Sequence, residues 1–268
     1  MKIFLSPLWA VITTLCITYF VLSQPTILQN FELKFFDQLI VDEEIFVEDV
    51  VLINISEDTL DNHGQYPFPR NIYADLVSRL RAANAGVIIF NLSFPEEDRT
   101  GQDDLFLQVL PAGVVISHFP TTQSTEIAAY ATGIVEVGDR ALPYVPQYPG
   151  IAANIRAYEE LASGIGIANT VPEIDGVVRR LPMISAVNET LYPSIILEIL
   201  KVYTGSNTYQ IRSNEMGVDA VRVRGYPTID TDGNGRIWIN PNYTFSEYNL
   251  DDEFTNLNGA TVFVGVTA

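Results

Sequence analysis

Four short runs of β-branched and aliphatic residues constrain this chain more than any other feature. Residues 50–55 (VVLINI), 87–92 (VIIFNL), 114–117 (VVIS) and 261–266 (TVFVGV) are nearly continuous in apolar character. A strand with one wet face alternates apolar and polar residues, whereas a continuous run belongs to a strand buried on both faces. Helical segments of crossover length separate the first three runs. Residues 71–83 place Ile72, Tyr73, Leu76, Val77 and Leu80 on one helical face, and residues 103–110 predict a second helix stopped by Pro111. This β-α-β-α-β order predicts an α/β fold, a mostly parallel sheet with helices on both faces. With 268 residues, 47% of them apolar, the chain can bury a large core and is not a disordered chain.

The remainder is less regular. Residues 119–150 are polar, carry Pro143, Pro146 and Pro149, and predict an irregular excursion. Residues 154–163 predict a helix ended by Gly164. Residues 193–204 predict a clearer one, with Pro193 near its first turn and Gly205 beyond its end. Residues 220–224 and 236–240 alternate like strands. The pair Gly164 and Gly166 is an isolated glycine signal.

The amino terminus sets the expected compartment. Ile3 to Leu22 are 20 residues without a charge, about 30 Å of helix, the thickness of a bilayer core. Lys2 and the α-amine precede this run, so residues 1–24 are expected to be a transmembrane anchor in the lipid bilayer of the cell membrane, with 25–268 on the extracytoplasmic side, periplasmic or outer. A cleaved signal peptide ending near Ser23 is the alternative. Residues 26–40 continue as an amphipathic helix and offer a homodimer contact. Cys16, the one cysteine, lies inside the apolar run, which excludes an internal disulfide. The net charge of −18 excludes nucleic acid as a partner. The last strand runs almost to Ala268, so the natural protein is expected to continue further.

Candidate sites follow from the predicted topology. Ligands of parallel sheets favour the carboxyl ends of strands, which brings Ser56, Glu57, Asn91, Ser117 and His118 toward one rim. They form either a polar pocket or ordinary strand-end turns. Asp175, Arg179 and Arg180 form either an anion grip or an internal ion pair, and Arg70, behind two prolines, has the same two readings. Asp230, Asp232 and Asn234 have the spacing of the first half of a Ca2+ loop, with Ile237 in the usual apolar place. Pro241 stands where the bidentate Glu belongs, and a Gly-rich turn is the alternative. Nucleophile-elbow, zinc-protease, P-loop and dinucleotide motifs are all absent.

Four stretches, taken in order, resemble the CHASE2 family. FELKFFDQLI places Glu32 and Asp37 in the family's E-x-x-x-x-D pattern. QYPFPR, residues 65–70, is similar to its W-P-W-P-R segment. Asn169 followed by PEIDGVVRR, residues 172–180, resembles its N-x(5)-D-G-V-V-R-R stretch, and GATVFVG, residues 259–265, its final strand. The resemblance spans about residues 24–268 and implies an extracytoplasmic sensor, responding to a small-molecule or ionic signal and joined through membrane helices to a cytoplasmic cyclase or kinase. Asn169 enters the candidate ligand set on this resemblance. Departures are Ser56 and Asn91 where the family often has Asp, and Gly166-Ile167 where it often has Gly-His. The competing functional readings are a membrane-anchored hydrolase using the 56/91/118 rim and a calcium-stabilised surface domain.

Overall fold

The computed structural model describes residues 7–23, 26–39, 43–125 and 133–266. The chain divides into two compact units, Met1–Glu43 with Pro172–Arg179, and Glu44–Val171 with Arg180–Ala268.

The first unit holds two helices, Pro7–Ser23 and Thr26–Leu39. Pro7–Ser23 buries none of its residues. Among the described residues no single helix is long and apolar enough to cross a membrane; Pro7–Ser23 and Thr26–Gln38 pass that test only as a bent pair, by length and composition. The expected single span over residues 3–22 is therefore not shown, and its first four residues lie outside the described ones. The amphipathic helix expected over residues 26–40 is present as Thr26–Leu39.

The second unit is built on a seven-stranded sheet. Its order is Tyr243–Asn249, Ile45–Ile55, Thr261–Val266, Ile88–Phe90, Val114–Thr121 and Gly150–Ala152, with Gly164–Ile167 also paired to Val114–Thr121. All these pairings are parallel except that with Gly150–Ala152. The expected mixed α/β fold with a mostly parallel sheet is present.

Period-two geometry explains why continuous apolar runs were needed. Ile88, Phe90, Val114, Ile116, Val262 and Val264 face one core with Tyr73, Leu76, Val77 and Leu80 of the helix Arg70–Ala82. Their neighbours Val87, Ile89, Val115 and Phe263 face the other side, against Ile195, Ile199 and Val202 of the helix Ile195–Thr204. Both faces are dry at these positions, which is why the runs are apolar without alternation. Each buried large side chain contributes about 1.5–3 kcal/mol. Helix Ile195–Thr204 begins where Ser194 accepts a hydrogen bond from the Leu197 N–H, and ends at Gly205 in the left-handed conformation.

Four expectations are corrected. The helix predicted over 154–163 is only Arg156–Leu161. Gly164, expected as its cap, instead opens the strand Gly164–Ile167. Packing requires glycine at 166, where a Cβ would lie 2.5 Å from the Ile195 Cα, while one on Gly164 would lie 2.6 Å from the Glu198 carboxylate and force that side chain to shift. The excursion over 119–150 contains the strand Ile134–Gly138, paired to Tyr209–Asn214 in a four-stranded sheet with Gly217–Val223 and Ile229–Asp230. That sheet packs Tyr209, Ile211, Val218 and Val221 against Met183, Ile184 and Leu197. The strand expected over 236–240 stops at Trp238.

Candidate functional site

Among the described residues, cavities at the carboxyl ends of the parallel strands include one on each face of the sheet. On the face covered by Arg70–Ala82, the loops 63–70 and 93–100 enclose about 580 Å³. Arg70 is buried in its wall. Its Nε donates to the Tyr158 hydroxyl at 3.1 Å, its Nη2 to the Glu96 carbonyl at 2.9 Å and its Nη1 to the Phe68 carbonyl at 3.4 Å. The guanidinium carbon lies 4.9 Å from the centre of the Phe94 ring. Tyr158 in turn donates to the Asp103 carboxylate; burial, then this bond, pushes its phenol up. Burial alone would raise the Asp98 carboxyl, but donors from Thr100, the Arg70 N–H and the Gln102 N–H outweigh it and hold Asp98 low. All three guanidinium nitrogens of Arg70 are thus spent on the protein, tying the two loops together.

An aromatic cluster sits under this wall. Phe106 lies 5.2 Å from both Phe94 and Tyr158, and Tyr73 lies 5.4 Å from Phe94, measured between ring centres. Such contacts add about 0.5–1.5 kcal/mol each beyond burial.

The predicted rim is only partly assembled. Ser56 caps the helix Glu57–His63, its N–H donating to Thr59 Oγ1 at 3.3 Å, and Glu57 stands in that helix's first turn, where its charge complements the helix dipole. His118 is buried, with Nε2 2.7 Å from a Glu159 carboxylate oxygen. Neither Ser56 nor His118 lines a cavity with Asn91. Asn154, unmarked by any sequence signal, ties the strand Val114–Thr121 to the 93–100 loop: its Nδ2 donates to the Ser117 carbonyl and its Oδ1 accepts from the Phe94 N–H.

On the face covered by Ile195–Thr204, a second cavity of about 470 Å³ does bring Asn91 and Asn169 together. The Asn91 N–H donates to the Val264 carbonyl, which fixes the residue at the strand end. The Asn169 Nδ2 donates to the Tyr148 hydroxyl.

The Asp-Gly-Val-Val-Arg segment serves the first unit. Arg179 Nε and Nη2 donate to the two carboxylate oxygens of Asp37 at 2.7 and 2.6 Å, and Nη1 and Nη2 to Asp175 at 2.9 and 2.8 Å. The Arg179 side chain is 5% exposed and that of Asp37 44%. Arg179 lowers the Asp37 carboxyl and brings that of Asp175 to about 2, while the two carboxylates raise its own pKa. The internal-pair reading of Arg179 describes this geometry, with Asp37 as a second partner supplied by helix Thr26–Leu39. A sequence scan sees Asp175 four residues away; Asp37 is 142 residues distant and is marked only by the family pattern.

The 230–235 loop is turned on itself. Asp232 accepts from Arg180 Nη1 and Arg236 Nε, both at 2.9 Å, and Asn234 Nδ2 donates to the Tyr144 carbonyl at 2.8 Å. Burial would raise the Asp232 carboxyl, and the hydrogen bonds from Arg236 and Asn234 hold it low instead. Asp230 is exposed in a two-residue strand opposite Ala220. Among the described residues no group of three or more His, Cys, Asp or Glu is placed to hold a metal ion.

No curated protein and no solved structure matches the chain. The family model described as the CHASE2 domain matches residues 12–268. That match covers well over half of the chain, and the chain belongs to the CHASE2 family of extracellular sensory domains.

Proposed function

We propose that this chain is the extracytoplasmic sensing domain of a membrane signalling receptor, anchored through its amino-terminal segment and passing a small-molecule or ionic signal to a cytoplasmic cyclase or kinase. The observation that supports this reading best is the double pairing of Arg179 with Asp37 and Asp175. Asp37 stands near the end of the helix that follows the apolar segment. Arg179 stands at the end of a segment, 172–179, whose two ends continue covalently into the sheet-bearing unit. A ligand that shifts those ends changes the hold on the helix, provided it binds the two arrangements with different affinity.

Two measurements test this. Reading the gene past the codon for Ala268 should find further membrane helices followed by a cyclase or kinase domain; an immediate stop codon would sink the coupling. In the full-length receptor, Arg179→Ala should change basal output, and cysteines placed at positions 27–39 should crosslink copies to an extent that changes with it. Output and crosslinking both indifferent to Arg179 would exclude this route.

A further inference from the structure

The cavity shared by Asn91 and Asn169 has a lining unlike the rest of the molecule. In a chain of net charge −18, no Asp, Glu, Lys, Arg or His among the described residues lines it. Its walls are apolar, from Phe119 and Phe263 on the strands to Ile195 and Ile196 at the start of the Ile195–Thr204 helix. Its polar atoms come from Asn91, Asn169, Thr170 and Ser194. Ser194 is occupied as the helix cap. Asn169 spends one amide hydrogen on Tyr148, which leaves its carbonyl oxygen to accept. The Asn91 carboxamide is exposed and makes no side-chain hydrogen bond among the described residues. The volume of about 470 Å³ is in the range that holds small ligands.

This chemistry selects a class of ligand. A charged group entering a site without a counter-ion exchanges its hydration for a few neutral dipoles, so an uncharged ligand is favoured over an ion. Two carboxamides offer both donors and acceptors, which suits a neutral polar group of the amide kind. The position adds a second point. The lining includes Ala168, Asn169 and Thr170 just before the segment 172–179, and Leu181 and Pro182 just after it. A ligand here touches both roots of the segment that carries Asp175 and Arg179. Gly166 packs against the Ile195 backbone beside the cavity, so that wall is rigid.

We infer that this cavity is the ligand site of the sensor, and that it takes an uncharged small molecule with an apolar body and one amide-like hydrogen-bonding end. The inference rests on the sensor reading above and names its ligand class.

Three probes of one shape test it: benzamide, neutral; benzoate, anionic; and benzylamine, cationic. Binding to the full chain in lipid nanodiscs is read by saturation-transfer NMR, and the segment 172–179 by hydrogen exchange at Gly176 and Val177. Benzamide should bind at least about tenfold tighter than either charged probe, with an affinity unchanged between about 50 and about 500 mM salt. Ala168→Trp, which fills the cavity, should abolish binding. Asn169→Leu should weaken it about tenfold, the cost of a lost polar partner. Asn91→Leu, at an exposed position, should weaken it too, and keeps the test decisive if Ala168→Trp fails to fold. Bound benzamide should change exchange at Val177. A charged probe bound as tightly as benzamide, or benzamide binding indifferent to all three substitutions, overturns the site. Benzamide that binds without altering exchange at Gly176 or Val177 overturns its role as the sensor's ligand site. The sensor reading itself stands or falls on the reading-frame and crosslinking measurements.

Discussion

Arg70 and Arg179 stand in comparable places, each buried at the end of a proline-containing loop and each able, by sequence, to grip an anion or to pair internally. The structure spends both internally, but on different partners. Arg70 donates to two backbone carbonyls and a phenol and lies over Phe94, with one carboxylate, Asp103, no nearer than 4.0 Å. Arg179 donates to two carboxylates on separate segments of the first unit. Carbonyls do not titrate and cannot leave; carboxylates do titrate, and one of them rides on a helix. The first arginine is therefore scaffold, and the second is a contact that can be made and broken.

Of the two arginine substitutions, Arg70→Ala should produce the larger effect. It strands the Tyr158 hydroxyl and two carbonyls at the cavity wall, a loss of about 3 kcal/mol, read as a lower urea midpoint of the sheet-bearing unit. A change under about 1 kcal/mol would show that water replaces the guanidinium and would break the comparison. Phe106→Ala, deeper in the same region, should cost about 3–5 kcal/mol in the same assay if the aromatic cluster packs as described. Arg179→Ala should leave that midpoint nearly unchanged and instead speed hydrogen exchange at Gly176 and Val177, whose N–H groups are bonded within the segment. A large drop in the midpoint would make Arg179 scaffold as well.

Acid should separate the two regions further. The carboxyls of Asp37 and Asp175 are depressed in the folded protein, that of Asp175 to about 2. A depressed carboxyl contributes its stability above its unfolded pKa of about 3.9 and loses it as pH falls through the folded value. The protection of the Val177 N–H, taken relative to the intrinsic exchange rate at each pH, should thus hold down to about pH 4 and fall toward about pH 2, while the Arg70 bonds to backbone carbonyls persist over the same range. The smallest expected effect is Asp98→Asn, about 1 kcal/mol, because the amide still accepts some of the donors from Thr100, Arg70 and Gln102.

Local signals made much of this molecule legible. The run at 261–266 is a strand with the same ends, and the Ile195–Thr204 helix, with Gly205 beyond it, follows from a 3.6-residue period and a stop signal. Signals of that kind act over a few residues, and the sequence carries them whole. The strand Tyr209–Asn214 escaped because its alternation of buried and exposed residues is mixed with polar side chains, Ser213 among the buried ones. Gly164 and Gly166 read as punctuation because the helix that presses on them lies some thirty residues further along the chain.

The candidate site divides in the same way. Residue types and strand-end positions placed Asn91 and His118 at the sheet's carboxyl edge, and the Asp-Gly-Val-Val-Arg stretch marked Arg179. Only the tertiary structure decided that Asn91 meets Asn169, that His118 turns inward to Glu159, and that Arg179 closes on Asp37. Strand and helix periodicity are set by neighbouring residues, so a single chain segment encodes them. A cavity or an ion pair is set by which distant segments the core forces together, and that depends on packing both faces of the sheet at once.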